Sequence, residues 1–231
     1  MVLSLAAWEL HAATVSARVR IVDSRVSSVR QQRNFAGVVL WLTPLAGGGG
    51  PRRSPGRVEM IQKDKKFQPH VLAIPVGTTV DFPNYDPIFH NAFSNFDGQV
   101  FDIGLYAPGS SRGVTFRREG IVRVFCNIHP TMSAVIIVLG TPHFGTSNSA
   151  GEITLRDVPV GDYRLELFHE RATPQTLEKL ATRVTVPSEG LALPPIEITE
   201  SGYLQVPHKN KHGMDYPASS ADHVVYPGAK R

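Results

Sequence analysis

An all-β fold is what this 231-residue sequence predicts. Three observations carry that prediction: Gly and Pro are plentiful, at 20 and 18 residues, the apolar stretches are short and rich in β-branched and aromatic side chains, and turn residues interrupt them at close intervals. Glycine and proline supply the backbone geometries of tight turns, and β-branched side chains fit a pleated surface. Hydrophobic residues make up 42% of the chain and charged residues 19%. That balance builds one large core or two small ones and excludes a disordered chain.

The first strand is expected at residues 15–22 and the second at 37–43, GVVLWLT. Residues 47–56 then form a Gly/Pro-rich loop with no means of making a core. Further strands are expected at 57–62, 71–74, 78–82, 113–118, 121–126 and 133–139, punctuated by Gly77, by Pro83 with Asn84, and by Gly120. Such spacing belongs to a sandwich or barrel. After Gly140 come strands at 152–156, 163–168, 180–186 and 196–199, a turn at Pro159-Val160-Gly161-Asp162, and one short helix at 176–180. Residues 201–231 lose the alternation and read as an irregular C-terminal tail.

The net charge is only +4 and the basic residues are scattered; the run from Lys63 to Lys66 is broken by Asp64. A nucleic-acid partner is therefore not expected. No stretch approaches the roughly 20 apolar residues of a membrane span, so none is expected. Residues 1–13 are apolar apart from Glu9 and His11 and end in Ala12 and Ala13, which resembles the tail of a secretory signal lacking its basic start. The expectation is a signal remnant and a periplasmic or secreted protein. With one cysteine, Cys126, no internal disulfide forms, and in an oxidising compartment that thiol needs burial or a metal.

Cys126 opens the segment Cys126-Asn127-Ile128-His129-Pro130-Thr131-Met132, with spacing C-x2-H-x2-M between two strands. Thiolate, imidazole and thioether are soft or borderline ligands. Two histidines and a cysteine with a weak axial methionine suit copper, because the set compromises between the geometries its two oxidation states prefer. The second histidine should come from a separate strand end, and His90, after the 78–82 strand and its turn, is the candidate. Taken singly, each residue is an ordinary core or loop residue; their order and placement on strand ends set them apart.

With His90 followed by Asn91, residues 57–140 resemble cupredoxins of the plastocyanin and amicyanin type, including Phe67-Gln68-Pro69 and Pro75-Val76-Gly77-Thr78-Thr79-Val80. The short Cys-to-Met loop is similar to that of amicyanin. The resemblance implies a Greek-key β-sandwich with one type 1 copper ion held by His90, Cys126, His129 and Met132. It also implies that Asn91 lies behind the ligands, ties their two loops together and bonds near the Cys126 sulfur. The implied function is to carry single electrons between protein redox partners through an exposed edge of His129, rimmed by Pro87, Phe89, Pro130 and Thr131.

Residues 146–165 resemble small carboxypeptidase regulatory-like, or transthyretin-like, β-sandwiches. Four strands after Gly140 are too few to close a sandwich, which takes about seven. The strands at 15–22 and 37–43 supply the deficit, and residues 35–42 resemble early strands of that fold. The expected layout is a discontinuous second sandwich, 14–46 and 141–200, with the copper domain inserted into it. It resembles plastocyanin-like proteins labelled methylamine utilisation proteins.

The alternative function is a periplasmic copper-binding or copper-delivery protein without redox turnover. An enzyme is not expected: Cys126 and His129 lack a third orienting group and an oxyanion site, and a copper oxidase needs further clustered histidines. The other histidines, His11, His70, His143, His169, His208, His212 and His223, show no convergent partners. His208 and His212 share an i, i+4 spacing, but Pro207, Asn210 and Gly213 oppose a helix there, which leaves them as surface residues. Oligomeric state is left open.

Overall fold

The computed structural model of the chain describes residues 12–46, 55–95, 98–204 and 207–216. It is mostly β, in several sheets. Two units emerge: residues 12–46 with 141–204, and the described residues from 55 to 140 with 207–216.

In the first unit, the strand Ala12–Val22 turns Ala13, Val15, Ala17, Val19 and Ile21 inward and Thr14, Ser16, Arg18 and Arg20 outward. A two-residue period is what a sheet with one face on a core requires. This strand pairs antiparallel with Glu152–Pro159 and parallel with Leu191–Ala192 and Ile196–Thr199. In a second four-stranded sheet, Val39–Pro44 lies between Phe144–Thr146 and Gly161–Phe168, with Thr182–Val186 at the edge. Both early strands therefore pair with strands beyond residue 140. Leu40, Leu42, Ile153, Leu155, Leu165 and Ile198 fill the space between; burying each such side chain contributes about 1.5–3 kcal/mol.

Some boundaries differ from the sequence pattern. Among the described residues, six strands follow residue 140 rather than four; Phe144–Thr146 and Leu191–Ala192 are too short for alternation to register. The helix Ser27–Gln32 buries only Val29, so it leaves no apolar period. The second helix, Pro174–Leu180, starts earlier than expected, because Pro174 sits in its first turn and the Thr173 hydroxyl accepts from the Thr176 N–H. Residues 1–11 of the expected signal lie outside the described residues, while Ala12 and Ala13 stand opposite Pro159 and Val158. His143 and His169 are buried, and His169 donates to Glu200 at 2.8 Å.

In the second unit, a five-stranded sheet runs Val71–Pro75, Ser133–Leu139, Gly120–Phe125, Phe93–Ser94, Phe101–Asp102. A three-stranded sheet contains Ser111–Thr115, Thr79–Pro83 and Arg57–Glu59, and a hairpin joins Ile61–Lys63 to Lys66–Gln68. The expected 57–62 strand breaks at Met60, whose N–H turns to the Asp81 carbonyl. Ser133–Leu139 is buried from Ala134 onward, the continuous apolar run of a strand covered on both faces. Phe67, Phe82, Phe101 and Phe116 pack against one another with ring centroids 5.7–6.4 Å apart. No helix among the described residues is long and apolar enough to cross a membrane.

Candidate metal centre

Two strand ends deliver the ligand-bearing loops. Beyond Thr79–Pro83 the chain is folded back by Asn84, which donates from Nδ2 to the Ile88 carbonyl at 2.8 Å and accepts at Oδ1 from the Asp86 N–H at 3.0 Å. His90 then exchanges two backbone hydrogen bonds with Tyr106. The second loop, residues 126–132, joins Gly120–Phe125 to Ser133–Leu139, whose facing ends are Phe125 and Ser133. It is closed by the Cys126 N–H donating to the Met132 carbonyl and the Met132 N–H to the His129 carbonyl, both at 3.1 Å.

These loops bring His90, Cys126 and His129 to one point. His90 Nδ1 lies 3.1 Å from His129 Nδ1 and 3.9 Å from Cys126 Sγ, and His129 Nδ1 lies 3.5 Å from the same sulfur. A triangle of that size accepts an ion bonded at roughly 2.0–2.3 Å to each atom. All three residues are buried. Met132, from the same loop, is fully buried in the same core cluster as Cys126. The donor chemistry, two imidazoles and a thiol with a thioether nearby, fits copper.

The electrostatics prepare these groups for a cation. Burial pushes the His90 pKa down, outweighing the pull of Asp86, so the imidazole is neutral and keeps a lone pair. Burial pushes the Cys126 thiol up, opposed by the backbone N–H groups of Ile128, Asn91 and His129 that face the sulfur. Those donors would stabilise the thiolate form of Cys126 that holding a metal requires. His129 has only 6% exposure, less than the open edge expected for it.

Asn91 faces the sulfur with its backbone N–H, and its side chain donates to Asp102 Oδ1 at 2.8 Å. Asp102 Oδ2 accepts from Lys211 Nζ at 2.8 Å, and the Lys211 N–H donates to Asn127 Oδ1 at 2.9 Å. The two ligand loops are thus joined through a residue of the C-terminal segment. That segment makes two further contacts: the His208 ring stacks on Phe125 with centroids 4.2 Å apart, and the Tyr216 hydroxyl donates to the Cys126 carbonyl at 2.7 Å. His208 is accordingly half-buried, while His212 is exposed. Sequence reasoning does not find Asp86, Asp102, Lys211, His208 or Tyr216; the one signal is that the C-terminal tail carries three tyrosines and three histidines, Tyr216 and His208 among them.

No protein-family model matches the chain, and no curated protein does. Among solved structures, a purple cupredoxin from Nitrosopumilus maritimus is 26% identical over 36% of this chain and 99% of that one, with a TM-score of 0.32. A copper-containing nitrite reductase from Thermus scotoductus SA-01 is 31% identical over 42% of this chain, with a TM-score of 0.33; the match spans 25% of the reductase. An oxidized mutant of amicyanin is 19% identical over 36% of this chain and 81% of its own, with a TM-score of 0.34. The second unit thus sets three metal-ligating side chains together at the end of its sheets, the arrangement that the resemblance of residues 57–140 to cupredoxins implies.

Proposed function

We propose that the chain is a type 1 copper protein that carries single electrons between protein redox partners, with one copper ion held by His90, Cys126, His129 and Met132. The observation that carries this reading is the triangle of His90 Nδ1, Cys126 Sγ and His129 Nδ1 at 3.1–3.9 Å. Copper, when bound, supplies a one-electron couple. The two histidines offer neutral imidazole nitrogens, Cys126 a thiolate and Met132 a soft axial sulfur, a set equally tolerable to both oxidation states. Because the ligands sit on loops closed by backbone hydrogen bonds at the ends of paired strands, they move little when the charge changes.

Burial supports a carrier over a delivery protein: His90 and Cys126 have 0% exposure, which opposes ready exchange of metal. Four protein ligands leave no open position for a substrate, which supports a carrier over an enzyme. Exposed Pro87 and Thr131, with half-buried Phe89 and Pro130, offer a docking rim beside His129. For the first unit we propose a discontinuous carboxypeptidase regulatory-like sandwich, 14–46 and 141–200. The pairing of both early strands with strands beyond residue 140 supports it. The proposed compartment is periplasmic or extracellular.

The test is the absorption spectrum of the purified protein during copper(II) addition. An intense visible band that saturates at a single equivalent and is absent from Cys126→Ser is expected. A colourless complex, formed equally well by Cys126→Ser, overturns the reading.

A further inference from the structure

We propose that Asp86 is a positioning residue for the metal centre: it selects the His90 tautomer that aims a lone pair at the donor triangle, and its negative charge lowers the reduction potential of the bound copper. This rests on the copper reading above and deepens it.

Asp86 Oδ2 lies 2.7 Å from His90 Nε2, with the two side chains only 8% and 0% exposed. The carboxylate is gripped from its other side as well. The Asp64 N–H donates to Oδ1 at 2.7 Å and the Lys65 N–H to Oδ2 at 2.9 Å. Both donors belong to the tight turn between Ile61–Lys63 and Lys66–Gln68, where Asp64 and Lys65 have φ of 56° and 52°. Two successive left-handed residues without a glycine are uncommon. Here they form a turn of the mirror-image type that suits a two-residue hairpin, and it points both its amides at one carboxylate.

The donor inventory then fixes the proton. With each Asp86 oxygen already accepting from a backbone N–H, Asp86 is an acceptor toward the imidazole, and His90 Nε2 must carry the hydrogen. A neutral imidazole has one ring N–H, so Nδ1 keeps its lone pair. That nitrogen is the one facing His129 Nδ1 and Cys126 Sγ. Turn, carboxylate, imidazole and donor triangle therefore form one line, braced by the Asp86 N–H donating to Asn84 Oδ1.

A carboxylate bonded to the far nitrogen of a ligand histidine makes that ligand more basic, and loss of such a partner costs 10–100-fold in metal affinity in other metal sites. The more highly charged copper(II) gains more from it than copper(I), so the reduced state is disfavoured.

The experiment compares full-length wild type with Asp86→Asn, both loaded with copper, by visible spectroscopy and voltammetry. In the variant the visible band is expected to persist while the preference for copper(I) over copper(II) rises about tenfold, an upward shift of ~59 mV for one electron. A variant that keeps both the band and the wild-type potential overturns this inference alone; a wild type with no visible band sinks it together with the copper reading. Independently of any variant, NMR of the copper(I)-loaded wild type should show a slowly exchanging proton on His90 Nε2. A His90 ring protonated on Nδ1, or with no protected Nε2 proton, overturns the proposal.

Discussion

Met132 stands apart from the other three proposed ligand residues, because a thioether is a weak donor whose distance tunes a copper site without making it. Met132→Leu is therefore expected to keep the visible band and raise the reduction potential, as read by voltammetry. An unchanged potential would remove Met132 from the metal's neighbourhood. The convergence of His90, Cys126 and His129 was legible in the sequence, since a cysteine and a histidine at short spacing between two strands, with a second histidine at another strand end, are rare by chance. Asp86 and Lys211 were not. Asp86 reaches His90 only because Asn84 folds the loop back, and Lys211 meets Asn127 across 84 residues of chain. Ordinary charged side chains acquire such roles from the fold, which leaves no local pattern to read.

At the scale of strands, legibility followed length and burial. The 11-residue strand Ala12–Val22 announces itself by strict alternation, and Ser133–Leu139 by its unbroken apolar run. The two-residue strand Phe93–Ser94 takes its edge from Gly120–Phe125, and Phe101–Asp102 takes its own from Phe93–Ser94, pairings that no local sequence records. Ser133–Leu139 pairs on both sides and packs the site loop onto the core. Ile136→Ala there is expected to cost about 2–5 kcal/mol in denaturant unfolding; a loss within experimental error would mean that the strand is not the centre of that core. The segment 207–216 forms no strand or helix, yet it bonds at Cys126, Asn127 and Asp102. Truncation before residue 207 is expected to speed copper release, measured with a chelator, and an unchanged rate would reduce the segment to surface cover.

Across the whole molecule, stability should respond to two different ligands, metal and protons, in two different units. On the proposed assignment copper binds only the native second unit, so free copper at about 100 times its Kd adds roughly 2.7 kcal/mol there; calorimetry should show that unit's transition rise with copper and stay put in Cys126→Ser. Protons act on the buried His169–Glu200 pair of the first unit. Burial holds His169 below the ordinary value of 6.5, despite Glu200. Burial also raises Glu200, but His169, Ser24 and Arg171 outweigh it and hold that carboxyl below 4.5. From 6.5 down to the lowered His169 value, and again from 4.5 down to the lowered Glu200 value, the unfolded chain binds more protons than the native one. Stability is thus lost as pH falls through both windows. The first unit's melting temperature should drop between pH 7 and 4, and His169→Gln, which removes the buried imidazole, should flatten that slope.

X-ray absorption at the copper edge of the loaded protein reads the donor set itself. The expected spectrum has one short sulfur and two imidazoles around each copper, with the sulfur lost in Cys126→Ser. A shell of oxygen and nitrogen alone, with no sulfur in wild type, would contradict the assignment of this centre.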